Sequence, residues 1–226
     1  MGFVTLVDAV DMPELTVEDD VPASAESGAF PKAVSDASRE NDNPRVSGIR
    51  PPPQTLEGEA LARGSEGVNR PIPLYGPYDA TTDGGKPIDA SARGKRPRMG
   101  GWQKDATTDL DAIKGMPWRR GGNIGIATGN GLVVLDFDRK NAGNIDSVIA
   151  AFEVEHGSLP SPTETTWVRT HGGGTHVYLR VDDSREFVGR TGVWKGPGGS
   201  ALDIRSDGNQ VVAPPSIHRN GGQYEL

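Results

Sequence analysis

Two short apolar runs, separated by the tight-turn sequence Gly129-Asn130-Gly131, constrain the fold of this chain more than any other feature. The runs are Asn123–Thr128 and Leu132–Asp138, and both contain the β-branched residues that favour strands. An Asn-Gly pair suits the positive φ angles of a two-residue hairpin turn. The pattern therefore predicts two antiparallel strands that pair as neighbours.

Helical spacing is clearest after residue 144. Apolar side chains recur there at positions i, i+3, i+4 and i+7, namely Ile145, Val148, Ile149 and Phe152. Asn144 is a candidate N-cap for this helix and Gly157 is a candidate stop. A shorter helix is predicted from Thr108, which opens a capping-box sequence, to about Gly115.

The remaining strand signals complete an α+β pattern. Thr165–Thr170 and His176–Val181 form a second predicted hairpin around the glycines at 172–174. Further strands are predicted near Ala201–Arg205 and Gln210–Ala213. The order β-β-α-β-β-β indicates an α+β domain with an antiparallel sheet.

The first 68 residues have a different composition. They alternate Pro, Ser, Asp, Glu and Gly with isolated apolar residues, and the one helix signal is short, at Gln54–Arg63. Residues 1–69 carry 13 acidic and 5 basic side chains, which leaves 18 and 19 for the rest of the chain. We therefore predict a disordered or loosely attached acidic tail over residues 1–68 and one folded domain over residues 69–226.

The composition excludes several classes of protein. No apolar run reaches the roughly 20 residues that span a bilayer, and the N-terminus lacks a signal-peptide pattern. Without cysteine, the chain has neither disulfides nor thiolate zinc ligands. We expect a soluble, cytoplasmic protein with no membrane partner.

A basic segment between residues 93 and 120 stands out in a chain whose formal net charge is -7. Its basic side chains include Lys95, Arg96, Arg98, Arg119 and Arg120. Two interpretations are equally favoured. The segment is either a surface that faces nucleic-acid phosphates or a solvated loop and helix face.

Three acids lie in or directly after apolar strand sequence. Asp136 and Asp138 are two residues apart and so project from one face of a strand, whereas Asp203 lies within Ala-Leu-Asp-Ile-Arg. A lone D-x-D more often marks a strand's exit into solvent, but a third acid in apolar surroundings favours a cation site for Mg²⁺ or Mn²⁺. Three such acids can hold the two ions of in-line nucleotidyl transfer. Asp207, in a Ser-Asp-Gly-Asn turn, is a weaker candidate.

His176 follows the glycines at 172–174, whose backbone amides we expect to be open to an anion. It can hydrogen-bond a phosphate oxygen or be satisfied by a neighbouring strand. His156 and His171 are interpreted as a helix-end residue and a loop residue. The glycine run alone is weak evidence for phosphate binding, because it lacks both the P-loop Lys-Ser/Thr and the Rossmann spacing.

Taken in order, these motifs resemble those of the bifunctional primase/polymerase domain of plasmids and phages, within the archaeo-eukaryotic primase superfamily. That family has an apolar strand ending in D-x-D or D-x-E, then an s-x-H motif, then an apolar-Asp motif. The three matches are Val-Val-Leu-Asp136-Phe-Asp138, Gly174-Thr-His176 and Ala-Leu-Asp203. The resemblance extends from about Gly94 to Tyr224.

The resemblance implies an RRM-like antiparallel catalytic sheet flanked by helices. It also implies that Asp136, Asp138 and Asp203 bind two Mg²⁺ or Mn²⁺ ions and that His176 contacts the triphosphate of the nucleotide. Arg205 lies on the same strand face as Asp203. It is a further candidate for the triphosphate, and its alternative is a salt bridge to a neighbouring acid.

Gly174 stands where the family has a small hydroxyl residue. The resemblance therefore implies that Thr175 or a backbone amide supplies the phosphate contact instead. The chain also ends at Leu226, soon after the third motif, where similar proteins usually continue. The domain is thus expected to be either C-terminally incomplete or a small stand-alone primase.

The function implied is that of a nucleotidyltransferase, a DNA primase/polymerase that extends primers from NTPs or dNTPs on a single-stranded DNA template. Similar proteins often continue into a helicase, which makes a replicative helicase a candidate partner. Two alternatives remain open from the residues. One is a metal-dependent nuclease or phosphohydrolase with His176 as base, and the other is a non-catalytic nucleotide- or DNA-binding fragment.

Overall fold

The computed structural model describes residues 55–67, 69–182 and 188–226. The helices are α1 Leu56–Ser65, α2 Trp102–Asp105, α3 Leu110–Lys114 and α4 Ile145–His156, with 3₁₀ turns at Ala90–Ala92 and Pro197–Gly199. The strands are β1 Arg70–Leu74, β2 Asn123–Ala127, β3 Leu132–Asp138, β4 Trp167–Arg169, β5 Thr175–Arg180, β6 Arg190–Lys195, β7 Ala201–Arg205 and β8 Gln210–Ala213. Residues 1–54 of the predicted acidic tail lie outside the described residues, and the predicted boundary at residue 68 stays a prediction.

The strands form two antiparallel sheets. The order is β1-β2-β8 in a three-stranded sheet and β4-β5-β3-β7-β6 in a five-stranded sheet. Helices and antiparallel sheets in one domain confirm the α+β class. The second predicted hairpin is also confirmed, because β4 pairs with β5 across the glycine turn.

The prediction that the first two apolar runs pair with each other is wrong. The turn forms as expected, because Gly129 and Leu132 exchange backbone hydrogen bonds and Asn130 and Gly131 have φ angles of 53° and 78°. Beyond the turn the strands diverge: β2 pairs with β1 and β8, whereas β3 pairs with β5 and β7. Each apolar strand thereby becomes the centre of its own sheet, with hydrogen-bonding partners on both edges.

The five-stranded sheet is covered on both faces. On one face, Leu135, Phe137 and Val177 form a core with α4, where Phe152 meets Phe137 edge-to-face at 5.1 Å between ring centroids. On the other face, a second core joins residues of β3 and β5, such as Val134, to the three-stranded sheet. Because side chains alternate along a strand, β3 contributes to both cores.

Local signals position the helices. The Asn144 side chain accepts a hydrogen bond from the Ser147 amide at 2.8 Å and Gly157 follows the last turn of α4 with φ 90°, as predicted. The helix signal near residue 54 is confirmed as α1, which packs against α3 and β1. The N-cap of α3 is Asp109, one residue after the predicted Thr108, because the Asp109 carboxylate accepts from the Ala112 amide at 2.7 Å.

No helix in the described part of the chain has the length and apolar character needed to cross a membrane.

Candidate active site

Three polar residues from three adjacent strands lie side by side on the five-stranded sheet. Asp136 on the central strand β3 is opposite His176 on β5 and opposite Asp203 on β7. Cross-strand partners share a sheet face, so the three side chains emerge on the side that does not pack against α4. We call Asp136, His176 and Asp203 the cross-strand row.

Arg205 connects the two acids of the row. Its Nη2 donates to Asp136 Oδ2 at 3.0 Å and to Asp203 Oδ2 at 2.7 Å, and its Nε donates to Asp136 Oδ2 at 3.2 Å. The Gly192 amide donates to the other oxygen of Asp203 at 2.7 Å. Two carboxylates in one place repel each other, and the guanidinium offsets that cost. The sequence left two interpretations of Arg205, a contact to the triphosphate and a salt bridge to a neighbouring acid. The structure shows the salt bridge.

Asp138 lies apart from this arrangement. Its side chain is 55% exposed, against 23% for Asp136 and 24% for Asp203, and its Oδ2 is 3.1 Å from Lys140 Nζ. In the described residues, no three Asp, Glu, His or Cys side chains already converge on a metal position. The structure therefore brings two of the three predicted acids together, with the third at the rim.

His176 is buried, and burial lowers the pKa of its imidazole, with Arg205 and Lys95 acting in the same direction and Asp136 opposing them. The ring is therefore neutral near pH 7. Its Nε2 lies 3.5 Å from Asp136 Oδ1, beyond a good hydrogen bond. Its buried Nδ1 has no hydrogen-bond partner among the residues described.

Two of the three amides in the glycine turn before His176 are not open, although the sequence had suggested that they would be. The Gly173 amide donates to the Thr170 carbonyl at 2.9 Å and the Gly174 amide donates to Thr170 Oγ1 at 3.1 Å. Both amides therefore have their hydrogen-bond acceptors within the turn. A Cβ on Gly174 would lie 2.3 Å from the Phe137 carbonyl oxygen. This close approach explains why the hydroxyl residue of the family motif is replaced by glycine here.

Thr175, the predicted substitute for that hydroxyl, points the other way. It precedes His176 on β5 and so lies on the opposite face of the strand. Its buried Oγ1 donates to the Val168 carbonyl at 3.1 Å. The structure therefore does not bring the Thr175 hydroxyl to the cross-strand row.

A cleft of about 380 Å³ opens over the row. Besides the row, Asp138 and Arg205, its lining includes side chains from three loops, namely Lys95, Thr170, His171, His218, Asn220 and Tyr224. The sequence interpretation took His171 for a simple loop residue and gave His218 and Asn220 no role. The one signal near them was that the resemblance extends as far as Tyr224 and so includes this loop.

The predicted DNA-contacting residues fall into separate environments. Arg98 is 4% exposed, pairs with Asp83 at 2.7 Å and with Asp79 at 3.1 Å, and lies over the Tyr75 ring, so it holds a loop and does not face solvent. Lys95 lines the cleft.

Arg119 and Arg120 lie elsewhere, at a cavity of about 500 Å³ beside Trp118. Arg119 is exposed and its Nη1 lies 3.5 Å from Asp83. The Arg96 carbonyl accepts a hydrogen bond from the Tyr75 amide.

Asp207, the weaker acid candidate, accepts from the Asn130 amide at 3.4 Å and is not among the cleft residues.

Comparison with known proteins identifies the family of the chain. A search of curated proteins returns no match. The family model described as bifunctional DNA primase/polymerase, N-terminal, matches residues 61–226, which include the whole cross-strand row and Arg205. This match covers well over half of the chain. The chain therefore belongs to the bifunctional DNA primase/polymerase N-terminal domain family.

Proposed function

We propose that this domain synthesises primers on single-stranded DNA and extends them from NTPs or dNTPs, in plasmid or phage replication. Family membership already indicates a nucleotidyltransferase-type enzyme of DNA replication. The observation that carries the finer proposal is the Arg205 bridge, in which one positive group is shared by carboxylates from two strands.

The bridge marks a place that suits a cation. Asp136 and Asp203 direct one oxygen each at the same guanidinium nitrogen, and Asp138 lies at the rim of the same cleft. An all-oxygen donor set suits Mg²⁺ or Mn²⁺. Two such ions, when bound, activate an attacking 3′-hydroxyl and stabilise a leaving pyrophosphate. We therefore assign Asp136, Asp138 and Asp203 to metal binding.

The other cleft residues suit a triphosphate. Arg205, once its carboxylate partners are neutralised, can turn its forked donors to phosphate oxygens. Lys95 adds a second positive charge to the cleft lining. His176, neutral and with an unpartnered nitrogen, can hold a phosphate oxygen without carrying charge itself.

The template is assigned to the surface around Trp118, Arg119 and Arg120. An aromatic ring beside two arginines at an open cavity suits single-stranded nucleic acid, which combines stacked bases with phosphates. Arg98 is excluded from this role by its internal ion pairs.

A partner helicase and a location in the host cytoplasm stay predictions.

The test is synthesis by the purified protein on single-stranded DNA, with labelled nucleotides and Mg²⁺ or Mn²⁺, with and without a primer. We expect nucleotide-dependent products no longer than the template, together with pyrophosphate. Asp136→Asn is the matched inactive control. Shortening of the DNA without added nucleotide would indicate the nuclease alternative, and nucleotide binding without any product would indicate a binding fragment.

A further inference from the structure

One part of the cleft is lined by rings and amides instead of charges. The row and Arg205 form the charged part of the cleft, whereas His171, His218 and Asn220 come from two loops that also line it. The rings of His171 and His218 are stacked, with centroids 4.9 Å apart and planes inclined by 23°. We call these two residues the histidine pair.

The histidine pair is held in place by its loops. His218 begins a tight turn, in which its amide donates to the Gly222 carbonyl at 2.7 Å and its carbonyl accepts from Gly221 at 2.8 Å. The Asn220 amide approaches His218 Nδ1 at 3.3 Å. A Cβ on Gly222 would lie 1.5 Å from His171 Nδ1, so the turn backbone is packed directly against that ring. The pair is therefore preorganised.

The charge state of His218 differs from that of a phosphate site. Partial burial lowers the pKa of His218, and the nearby basic side chains of Lys95, His171 and Arg219 lower it further. The Asn220 contact to Nδ1 leaves the proton of the neutral ring on Nε2. Near pH 7 His218 therefore presents a neutral aromatic ring.

A nucleotide has a charged part and a flat aromatic part, and the cleft is lined by matching groups. Its triphosphate needs positive charge and hydrogen-bond donors, and its base needs a flat surface on which to stack. We propose that the nucleobase of the incoming nucleotide stacks on His218, backed by His171, while the triphosphate lies at Arg205 and His176. This inference rests on the proposed function and extends it to the nucleoside half of the substrate.

A phosphate contact by the same pair is less consistent with the geometry. Burial and the nearby Lys95 lower the pKa of His218, so its ring offers an anion one N–H donor and no positive charge, whereas Arg205 offers both. A metal at the pair is less consistent too, because the Asn220 amide already occupies His218 Nδ1. A base requires only one ring face, and His218, which has its other face on His171, is half-buried and lines the cleft.

The test compares equilibrium binding of dATP and of inorganic tripolyphosphate, each with Mg²⁺, to the wild type and to two variants. His218→Ala should weaken dATP binding roughly tenfold or more, as expected for the loss of one stacked base, and should leave tripolyphosphate binding unchanged. His218→Phe keeps a ring and should bind dATP nearly as the wild type does. Gln223→Ala, in the same loop but uncharged, exposed and outside the cleft lining, is the matched control and should bind both probes normally.

Three results would overturn the inference. They are wild-type affinity for dATP in His218→Ala, an equal loss of tripolyphosphate binding in that variant, and a His218→Phe variant as weak as His218→Ala. Binding is measured without polymerisation, so it separates the two proposals. A wild type that binds dATP but makes no primers contradicts the proposed function alone, and one that binds no dATP contradicts both.

Discussion

The two faces of the five-stranded sheet use the same strands for opposite purposes. On the α4 face, Leu135 and Phe137 are packed into an apolar core, whereas Asp136, between them in sequence, lies in the cleft with His176 and Asp203. The site has no separate scaffold. Each functional side chain is positioned by the apolar neighbours that anchor its own strand, so stability and function should respond differently to substitutions one residue apart.

The largest expected effect on stability comes from the buried face. Phe137 is fully buried, and Phe137→Ala should lower the free energy of unfolding by about 3–5 kcal/mol. Asp136→Asn, one residue away, should change it by less than about 1 kcal/mol, because it removes both an ion pair and a repulsion. Urea unfolding followed by circular dichroism measures both. Equal losses in the two variants would contradict the division between faces.

A smaller effect on stability is expected at the glycine turn that joins β4 and β5. Gly174→Ala places a Cβ against the Phe137 carbonyl and should cost about 1–3 kcal/mol of unfolding free energy. Gly172→Ala is the matched control, since nothing lies within 4 Å of its added Cβ. Thermal unfolding of both variants tests this difference. A Gly174→Ala variant as stable as Gly172→Ala would show that the close approach is not required.

The smallest effect on the free energy of unfolding should be visible only at alkaline pH. Burial raises the pKa of Tyr224 to about 12, with Asp136 adding to the shift. The unfolded state therefore loses the Tyr224 proton first, and the stability contributed by this group is complete below pH about 10 and falls between pH 10 and 12. Burial also raises the pKa of Tyr178, in the same sense.

Tyr224→Phe should consequently give a shallower loss of unfolding free energy between pH 10 and 12 than the wild type, by at most about 1.4 kcal/mol per pH unit. Denaturant unfolding at pH 9, 10 and 11 provides the measurement. Parallel curves for the two proteins would mean that the phenol is not held neutral by the cleft.

Local signals were readable from the sequence, and long-range pairing was not. The caps of α4 and the turn at Asn130-Gly131 depend on residues close in sequence, and both predictions were confirmed. Whether β2 and β3 stay together after that turn depends on which distant strands are available to each. The turn residues carry no information about that choice, and the predicted pairing was wrong.

The same limit applies to the site. Motif order singled out Asp136, His176 and Asp203, but their alignment in one row follows from the register of three strands. The histidine pair comes from loops without periodicity, so only the folded chain brings its rings together. The amides of Gly173 and Gly174 were mispredicted as open because the turn's own hydrogen bonds could not be read from composition.

Direct measurement of Mn²⁺ binding tests the central claim, that Asp136 and Asp203 form a cation site on the functional face. Free Mn²⁺ would be followed by electron paramagnetic resonance during titration of the wild type, Asp136→Asn, Asp203→Asn and the control Asp207→Asn, whose carboxylate lies at the β2–β3 turn. We predict that the first two variants lose at least roughly tenfold in Mn²⁺ affinity, because each removes a carboxylate ligand, while Asp207→Asn binds as the wild type does. Wild-type affinity in folded Asp136→Asn and Asp203→Asn proteins would contradict the assignment.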